Sequence, residues 1–527
     1  MKKLLLFLFI PTFLYAQNEV KFVISGALQS TSVKIHAKLT DSTTNVRALV
    51  STSNPPAAPF IYSNVGKALA ATNQIASLSV EGLQPNTRYY YQIEADGIID
   101  DSPDDIGTFK TPDEGPYNFL FMAASCNRQP DTKTYDDFLG YDPLFYLNAG
   151  DLHYADPNSN AINVHRSAME DRVFTQQNHI DLFRNLPFVY VWDDHDYCGN
   201  DDDGPNADGA INASKVYKEY IPHYPFPENK VGTDTNSIYQ AFTIGRVRFI
   251  VSDLRSQRTR NNGTAMGMAQ KNWFKNELLQ AKANNQLICW VSSYSWYGTL
   301  DDNWRLNSNE RRELSEFMRD NAIENLFIIN GDAHMFAIDD GSNGDFTAAQ
   351  DLPYKYPVLQ AGPIENNGSY KGGTYSEGTF YQFFVKAAQY GVVRIEDNGG
   401  DSICVVFEGY KKDLNTQATS QLVTYEFCRK IGAYIPQVNS VSNNIKNETE
   451  LVSISPNPGN NLFVIKSENI SNETLVRILD VNGKEIFRKS LKTKENWEIN
   501  LSGYARGTYF ISATNENGIQ TKPFILQ

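Results

Sequence analysis

Metal-binding side chains stand at the ends of four apolar runs that lie far apart in the chain. The runs are FLFMAASC, FYLNAGDLHY, FVYVWDDHD and NLFIINGDAH. The side chains at or near their ends are those of Cys126, Asp151, Tyr154, Asp194, His195, Asp332 and His334. Such runs, bounded by helix-like stretches, indicate buried strands of an α/β sheet, and open sheets bind ligands beyond the carboxyl ends of their strands. We therefore expect a polynuclear metal site at one edge of a sheet.

The pair Asp151 and Tyr154 has the residue types and spacing to bind a hard cation. Asp151 directly follows Gly150, and its unhindered carboxylate can bridge two cations, as two-metal phosphate chemistry requires. Tyr154 comes three residues later, and a phenolate binds a strongly charged cation such as ferric iron. A helix cap for the aspartate and core packing for the tyrosine are simpler alternatives. Cys126 on the preceding strand favours the metal interpretation.

The segment Asp193-Asp194-His195-Asp196 holds titratable groups that repel one another unless cations or hydrogen bonds compensate them. We interpret Asp194 as a metal ligand. His195 would face the phosphate and either donate a proton to the leaving oxygen or orient the transferred group. A core histidine bonded to a backbone carbonyl is the alternative. In the acidic loop that follows, CGNDDDGPNADG, Asn200 is a candidate calcium ligand, although a solvated loop has the same composition.

Two further segments complete the candidate site. Asp332 and His334 are two residues apart, so in an extended segment they point to one side and can chelate a divalent ion. Arg255 follows the strand-like run RVRFIV and could clamp phosphate oxygens through its planar guanidinium. A surface salt bridge is an equally good interpretation of Arg255.

The ordered motifs SC, GDxxY, WDDHD, DxR and NGDxH resemble those of the PhoD-like alkaline phosphatases, a branch of the calcineurin-like metallophosphoesterases. The resemblance implies an α/β fold with a central αββα sandwich, preceded by a β-rich domain. It also implies a site with ferric iron (Fe3+) and calcium (Ca2+), in which Cys126, Asp151 and Tyr154 hold the iron. The calcium ligands that it implies are Asp151, Asp194, Asp332, Asn200 and His334. Motifs DDHD and GDxH replace the usual GNHE and GHxH, and the added oxygen ligands suit calcium.

β-rich segments flank this core on both sides. Short alternating stretches such as VKIHAKL and RALVSTS predict an N-terminal β-domain. Within it, LQPNTRYYYQIEADG resembles the tyrosine corner of a fibronectin type III-like or immunoglobulin-like sandwich. We favour a structural platform over a binding module for this domain, because a sandwich carries no function by its fold alone.

The last segment predicts a small β-sandwich in which Asn482-Gly483 forms a hairpin turn. It resembles the C-terminal sorting domain of bacterial type IX secretion at Pro456-Asn457-Pro458, at Gly507-Thr508-Tyr509 and at the basic residue Lys522. The resemblance implies passage across the outer membrane, a secreted or surface-attached product, and the type IX secretion machinery as a partner. An adhesion-like sandwich is the alternative.

The first sixteen residues, MKKLLLFLFIPTFLYA, have the charged start, apolar centre and small-residue exit of a signal peptide. No later segment has eighteen uninterrupted apolar residues, so we expect no transmembrane segment in the mature protein. The predicted organisation is a signal peptide (1–16), an N-terminal β-sandwich (17–113), a metallophosphatase domain (114–432), a linker (433–450) and a sorting domain (451–527).

Composition limits the alternatives. A chain of 527 residues with 41% hydrophobic and 12% aromatic residues is globular and too long for one core. Its formal net charge of −14, without a cluster of Lys and Arg, argues against nucleic-acid binding. Its five cysteines are too few for a disulfide scaffold. Cys404 and Cys428 are either paired across a sheet or two separate buried thiols.

Helical stretches alternate with the strands and predict a layered α/β core. In NERRELSEFMRD, Leu314, Phe317 and Met318 recur at helical spacing, and Asn309 is the expected cap. MAQKNWFKNELLQAKA repeats the pattern, and VHRSAMEDRVFTQQNHIDLFRNL is expected to be a long, mixed helical stretch.

These features predict an exported metal-dependent phosphoesterase that hydrolyses phosphate esters by attack of a metal-activated water or hydroxide. His195 and Arg255 would stabilise charge on the transferring and leaving oxygens. Phosphate acquisition at the cell surface is the simplest role. A phosphodiesterase or phospholipase D-like enzyme acting on larger substrates is the nearest alternative, and a non-catalytic surface binding protein is the third.

Overall fold

The computed structural model of the protein describes most of the chain after the predicted signal peptide. The described residues are 18–100, 105–129, 132–228, 230, 232–298, 302–369, 373, 375–381, 386–434, 452–455, 459–467, 474–480, 485–492, 496–515 and 518–526. The chain divides into two compact units between Pro436 and Gln437. The predicted signal peptide and most of the predicted linker lie outside the described residues, so the domain boundaries remain predictions.

The N-terminal part of the first unit is a β-sandwich. Its strands are β1 Val20–Gly26, β2 Ser32–Leu39, β3 Thr43–Ser51, β4 Ile61–Tyr62, β5 Gly66–Ala68, β6 Ile75–Glu81, β7 Arg88–Ala95, β8 Ile98–Ile99 and β9 Gly107–Lys110. One layer contains β1, β2 and β6, and the other contains β3, β4, β5, β7, β8 and β9. Tyr89 is buried and its hydroxyl accepts a hydrogen bond from the Gln84 backbone N–H at 2.8 Å. This contact is the tyrosine corner that the sequence predicted.

The central part of the first unit alternates strands and helices. Its strands are β10 Phe119–Ala124, β11 Tyr146–Asn148, β12 Phe188–Tyr190, β13 Gln240–Ile244, β14 Val247–Ser252, β15 Leu287–Ser292, β16 Leu326–Asn330, β17 Phe336–Asp339, β18 Val358–Gln360, β19 Asn366–Asn367, β20 Gly378–Phe380, β21 Lys386–Glu396, β22 Ser402–Lys412 and β23 Thr419–Lys430. Its α-helices are α1 Tyr135–Gly140, α2 Ile162–Arg172, α3 Gln177–Asn185, α4 Asp194–Tyr197, α5 Ala210–Tyr220, α6 Gly267–Ala283 and α7 Ser308–Asp320.

Two large sheets form the middle layers of this part. The first has the strand order β23-β22-β21-β10-β11-β12-β1-β2-β6, and the second has the order β13-β14-β15-β16-β18-β17-β20. Strands β10, β11 and β12 are parallel neighbours, as are β14, β15 and β16. Strand β1 pairs with β12 at Gly26 and Phe188, so one layer of the N-terminal sandwich continues the first central sheet.

Aromatic side chains join the layers. Phe121 of β10 and Phe145 each lie 5.5 Å from Phe249 of β14, measured between ring centroids, so the two sheets pack face to face. Helices cover the outer faces: the ring of Phe183 in α3 lies 4.6 Å from Phe188, and Phe274 of α6 packs on Trp290 of β15. The αββα sandwich implied by the sequence resemblance is therefore confirmed.

One local prediction about helices is wrong, and another is refined by the structure. The expected cap Asn309 lies inside α7, because a 3₁₀ helix, Trp304–Asn307, leads into the helix and Asn307 occupies the cap position. The long helical stretch is broken between α2 and α3. At the break Phe174 turns into the core and stacks on Phe22 of β1 with ring centroids 4.2 Å apart. Burial of this ring outweighs the continuation of the helix.

The second unit is a small β-sandwich with its own hydrophobic core. Its strands are β24 Val452–Ser455, β25 Leu462–Ser467, β26 Thr474–Leu479, β27 Glu485–Leu491, β28 Asn496–Asn500, β29 Gly507–Asn515 and β30 Gly518–Leu526. They form the sheets β24-β25-β28 and β27-β26-β29-β30. Strands β26 and β27 pair as the predicted hairpin, although Asn482-Gly483 and Pro456-Asn457-Pro458 lie outside the described residues. No helix in the described segments is long and apolar enough to cross a membrane.

Cys404 and Cys428 form a disulfide between β22 and β23, where the two residues stand opposite each other in the sheet register. This contact decides between the two interpretations that the sequence left open. Cys126, Cys198 and Cys289 are buried and take no part in this disulfide. Disulfides form and persist in oxidising compartments outside the cytosol.

We expect the double substitution Cys404→Ser/Cys428→Ser to lower the free energy of unfolding of the first unit. The bond closes a loop with a sequence separation of 24, and loops of this size contribute about 3 kcal/mol. Urea unfolding followed by tryptophan fluorescence measures the loss. Reductant should produce the same shift in the wild-type protein and none in the double variant. A variant as stable as the oxidised wild type would contradict this prediction.

Candidate metal centre

The candidate site lies where the carboxyl ends of strands from both central sheets meet. Strands β10, β11 and β12 carry their following residues to one edge of the first sheet, and β16 reaches the same place from the second sheet. The sequence had placed all four strands at the edge of a single sheet. At Gly331, just after β16, a Cβ atom would lie 2.3 Å from the Ala149 carbonyl oxygen. Only glycine allows the two sheets to approach this closely.

A second glycine brings two strand-end turns together within the first sheet. Gly150 has a φ angle of +115°, and a Cβ atom there would lie 2.7 Å from the Asp193 Cβ. Backbone hydrogen bonds fasten the neighbouring turn: the Cys126 N–H donates to the Gly150 carbonyl at 3.0 Å, and the Asn127 N–H donates to the Asp151 carbonyl at 2.8 Å. The turns that bear the candidate ligands are therefore connected through their main chains.

Four of the predicted ligands have backbone conformations that L-residues rarely adopt. The φ angles are 58° at Cys126, 54° at Asp151, 65° at Asp332 and 52° at His334. A left-handed conformation is unfavourable for a side chain with a Cβ, and such residues concentrate at functional sites. The surrounding hydrogen bonds and packing hold the backbone in this conformation, which turns the side chains toward one another.

Carboxylates form the centre of the site. One ligand atom from each of four buried residues, Asp151, Asp193, Asp194 and Asp332, lies within 4.8 Å of all the others. Oδ1 of Asp151 is buried and has no hydrogen-bond partner in the part of the chain that the structure describes. Burial, followed by the charges of Asp194 and Asp193, raises the pKa of Asp151 well above its usual value. These groups cannot all be charged unless positive charge lies beside them.

A second set of donors shares Asp151 with the first. Ligand atoms of Cys126, Asp151 and His334 lie within 4.8 Å of one another. The Tyr154 hydroxyl donates to Asp151 Oδ2 at 2.8 Å and lies 2.8 Å from His334 Nε2. Burial and the Asp151 charge raise the pKa of Tyr154 well above its usual value. The structure thus places His334 with the thiol and the phenol, whereas the resemblance had assigned it to calcium.

His195 lies at the edge of the carboxylate group and of the second donor set that contains Cys126 and His334. A ligand atom of His195 lies within 4.8 Å of Asp151 and Asp194, and the ring lies 4.0 Å from that of Tyr154. Nδ1 is 2.6 Å from Oδ1 of Asp156, which is exposed. The alternative of a core histidine bonded to a backbone carbonyl does not describe this geometry. Sequence analysis missed Asp156, although it stands five residues after Asp151 in the same strand-end loop.

Arg255 occupies a different position from the one that the sequence suggested. Its guanidinium is fully buried, Nε donates to Asp193 Oδ1, and Nη2 donates to Asp302 Oδ2 at 2.8 Å. The alternative of a surface salt bridge is therefore wrong. In this arrangement the guanidinium neutralises Asp193, which belongs to the centre, and Asp302, and its burial keeps it away from solvent.

Asn200 is exposed, and its side chain donates to Asp201 Oδ2 at 3.0 Å. No described contact brings Asn200 to the carboxylates, so its calcium contact remains a prediction. The neighbouring residue approaches them instead, because the Asp201 backbone N–H donates to Asp194 Oδ2 at 2.7 Å. The acidic loop therefore contacts the centre through Asp201, one residue after the predicted ligand Asn200.

Asp193 is a further residue that sequence analysis did not assign. Its Oδ1 accepts hydrogen bonds from Arg255 and from the Ser293 hydroxyl at 2.8 Å. Its Oδ2 is buried without a hydrogen-bond partner among the residues described. The run of titratable residues from Asp193 to Asp196 was the signal for this role, but the sequence does not tell which aspartates face the centre.

Comparison with known proteins identifies two segments. Residues 121–367 match the family model of PhoD-like phosphatases, and residues 453–527 match that of the secretion system C-terminal sorting domain. Purple acid phosphatase 23 of Arabidopsis thaliana is 22% identical over 288 residues, which cover 51% of this chain and 58% of that protein. A solved structure, described as the structure of PhoD, superposes with a TM-score of 0.61 at 16% identity. It covers 78% of this chain and 90% of its own, and it establishes the fold alone.

Replacement of the buried arginine should be costly for stability. We expect Arg255→Met to lower the free energy of unfolding by about 3–5 kcal/mol, because it leaves Asp193 buried without its counter-charge, whereas Asp302 keeps its pair with Arg258. The matched control is Arg260→Met, since Arg260 is partly exposed and pairs with Asp203 at 2.8 Å. The control should lose less than about 1 kcal/mol. Equal losses in urea unfolding of the two variants would contradict a neutralising role for Arg255.

Proposed function

Because the chain contains a PhoD-like phosphatase domain and a secretion system C-terminal sorting domain, we propose that it is an exported, metal-dependent phosphoesterase. The observation that carries the proposal is the convergence of four buried aspartates with a thiol, a phenol and two imidazoles at the meeting point of two sheets. The relative aligned above is matched over little more than half its length, so the activity and substrate are our own proposal.

The donor set fits two metal ions. Cys126, Tyr154 and His334 would hold one ion together with Asp151, and thiolate and phenolate ligands favour ferric iron. Three further aspartates (Asp193, Asp194 and Asp332) would hold a second ion, and such an all-oxygen set suits calcium. Asp151 is common to both sets, as a bridging carboxylate must be. Its buried Oδ1, which has no hydrogen-bond partner among the described residues, would be satisfied by a cation.

Bound cations would neutralise the phosphoryl oxygens of a phosphate ester and lower the pKa of an attacking water. The protein's own side chains would position these charges and supply the proton for the leaving oxygen. Asp193 is held by Arg255 and Ser293, which fix its carboxylate relative to the strand end. A fixed arrangement of charges needs no reorganisation during the reaction, and this preorganisation is the main electrostatic contribution of an active site.

His195 is the best-placed proton donor. Its Nδ1–H donates to the Asp156 carboxylate, and Nε2 is the other ring nitrogen that can carry a proton toward a substrate. The carboxylate sets the orientation of the ring. A proton on His195 would then pass to the leaving oxygen as its bond to phosphorus breaks. His195 is half-buried and Asp156 is exposed, so the pair lies where a substrate can reach it.

Export is supported by the sorting domain, together with the signal peptide that the sequence predicts. The type IX secretion machinery would recognise the sorting domain and carry the protein across the outer membrane. A phosphoesterase outside the cell most simply serves phosphate acquisition from phosphate esters. The relative turnover of a phosphomonoester and a bis-ester tests whether the substrate is a monoester or a diester.

We expect Asp151→Asn to reduce the hydrolysis of p-nitrophenyl phosphate by at least about a thousandfold, since the amide cannot bridge two cations. Iron and calcium contents, measured by elemental analysis of the purified protein, should fall with the activity. Circular dichroism and thermal unfolding should show that the variant is folded. Wild-type rates and metal contents in this variant would refute the assignment of Asp151.

The proton-donor role predicts a dependence on the leaving group. His195→Ala should slow the hydrolysis of an alkyl phosphate by about 10²–10⁴-fold, since an alkoxide needs a proton to leave. The same variant should lose much less with p-nitrophenyl phosphate, whose leaving group is stable as an anion. Asp156→Asn should show the same pattern with smaller losses. Equal losses on both substrates would instead indicate that His195 binds a metal or the phosphate.

A further inference from the structure

One carboxylate behind the metal centre joins the two turns that carry its aspartates. Asp196 is buried in the short helix α4, and its side chain accepts three backbone hydrogen bonds. Oδ2 accepts from the N–H groups of Leu152 at 3.1 Å and Asp193 at 3.2 Å. Oδ1 accepts from the N–H of His153 at 3.0 Å. Two donors thus come from one turn and the third comes from another.

These donors flank the residues that face each other in the centre. Leu152 and His153 directly follow Asp151, and Asp193 directly precedes Asp194. Ligand atoms of Asp151 and Asp194 lie within 4.8 Å of each other. The Asp196 carboxylate therefore determines how far apart the two ligand-bearing turns stand.

A helix cap alone does not account for this geometry. Asp193 and Asp196 form a reciprocal capping box at the start of α4, and such a box explains the bond from the Asp193 N–H. It does not explain the bonds from Leu152 and His153, which belong to a segment more than forty residues earlier in the chain. The additional bonds connect the ends of different strands, and a helix cap does not require them.

The chemistry of the site requires an aspartate. A carboxylate is an acceptor at both oxygens, whereas asparagine would present an N–H₂ group to at least one of the three N–H donors. A donor facing a buried donor leaves both unsatisfied, and each such group costs about 1–3 kcal/mol. The turn could relieve the conflict only by moving, and the attached Asp151 or Asp194 would move with it.

We propose that Asp196 is a positioning residue that holds the Asp151 turn and the Asp194 turn at the separation required for binding metal ions jointly. The role in catalysis rests on the proposed phosphoesterase function, but the role in metal binding does not. Outer partners of metal ligands influence metal affinity or activity by about 10–100-fold.

The test compares Asp196→Asn with a matched buried aspartate, Asp397→Asn. Asp397 is buried and accepts hydrogen bonds from Arg246 Nε at 2.8 Å and from the Gly399 N–H at 3.1 Å. It follows β21 at the opposite end of the first sheet from the metal centre, because β21 runs antiparallel to β10. The two substitutions therefore make the same chemical change in buried positions, one near the centre and one remote from it.

For both variants of the full chain we would measure calcium binding to metal-stripped protein by calorimetry, the iron content after purification, kcat and KM with p-nitrophenyl phosphate, and Tm. We expect Asp196→Asn to weaken calcium binding or lower the iron content by about 10–100-fold, and to lower kcat accordingly. Asp397→Asn should lower Tm by a similar or larger amount while its metal binding stays at the wild-type level.

Wild-type metal binding in a folded Asp196→Asn variant would overturn the proposal and leave Asp196 as an ordinary cap. Absence of both metals from the wild-type protein would also overturn it. If Asp196→Asn does not fold, Asp196→Glu keeps both acceptor oxygens but adds a methylene that displaces the turns, so unchanged metal binding in that variant would overturn the proposal. If the wild type binds metal and Asp196→Asn weakens binding, but no phosphate ester is hydrolysed, the proposed function fails while the positioning role stands.

Discussion

The mutual repulsion of buried carboxylates is the constraint on which the rest of this structure depends. Four aspartates with ligand atoms within 4.8 Å of one another are removed from water at the meeting point of the two sheets. Two unit charges about 4 Å apart repel by about 4 kcal/mol at the effective dielectric constant of a protein surface. A chain would not fold into this arrangement unless the backbone forced the groups together and cations or protons compensated them. The raised pKa of Asp151, which is due first to burial and then to its neighbours, expresses the same cost.

The scaffold meets this constraint with main-chain hydrogen bonds and close backbone contacts. Packing of Phe121 and Phe145 against Phe249 holds the two sheets face to face. The close approach at Gly331 brings the end of β16 to the end of β11, and each ligand-bearing turn is bonded to its neighbour. Left-handed backbone conformations at Asp151 and Asp332 persist only because these contacts over-determine them. The backbone strain at these two residues therefore results from bringing the buried carboxylates together.

Sequence patterns predicted the parts of the site that depend on local structure. The apolar runs ending at Cys126, Asp151 and Asp332 are strands, and their following residues do converge. The roles that were missed depend on contacts between distant segments. Arg255 is buried because Asp302, which lies 47 residues later, accepts from its guanidinium. Likewise, the break after α2 follows from a ring contact with Phe22 of the N-terminal sandwich. No local pattern contains such information.

The N-terminal sandwich is bound to the first central sheet in a way that argues for a structural role. Strand β1 pairs with β12, the strand that leads to the Asp193-Asp194 turn, so the sandwich covers what would otherwise be an exposed sheet edge. The hydroxyl of Tyr91 in β7 donates to the backbone carbonyl of Arg184 in α3 at 2.7 Å, and α3 packs on β12 through Phe183. The sandwich therefore supports the strand that positions the central aspartates. The C-terminal unit, which matches the sorting-domain family model, has its own hydrophobic core.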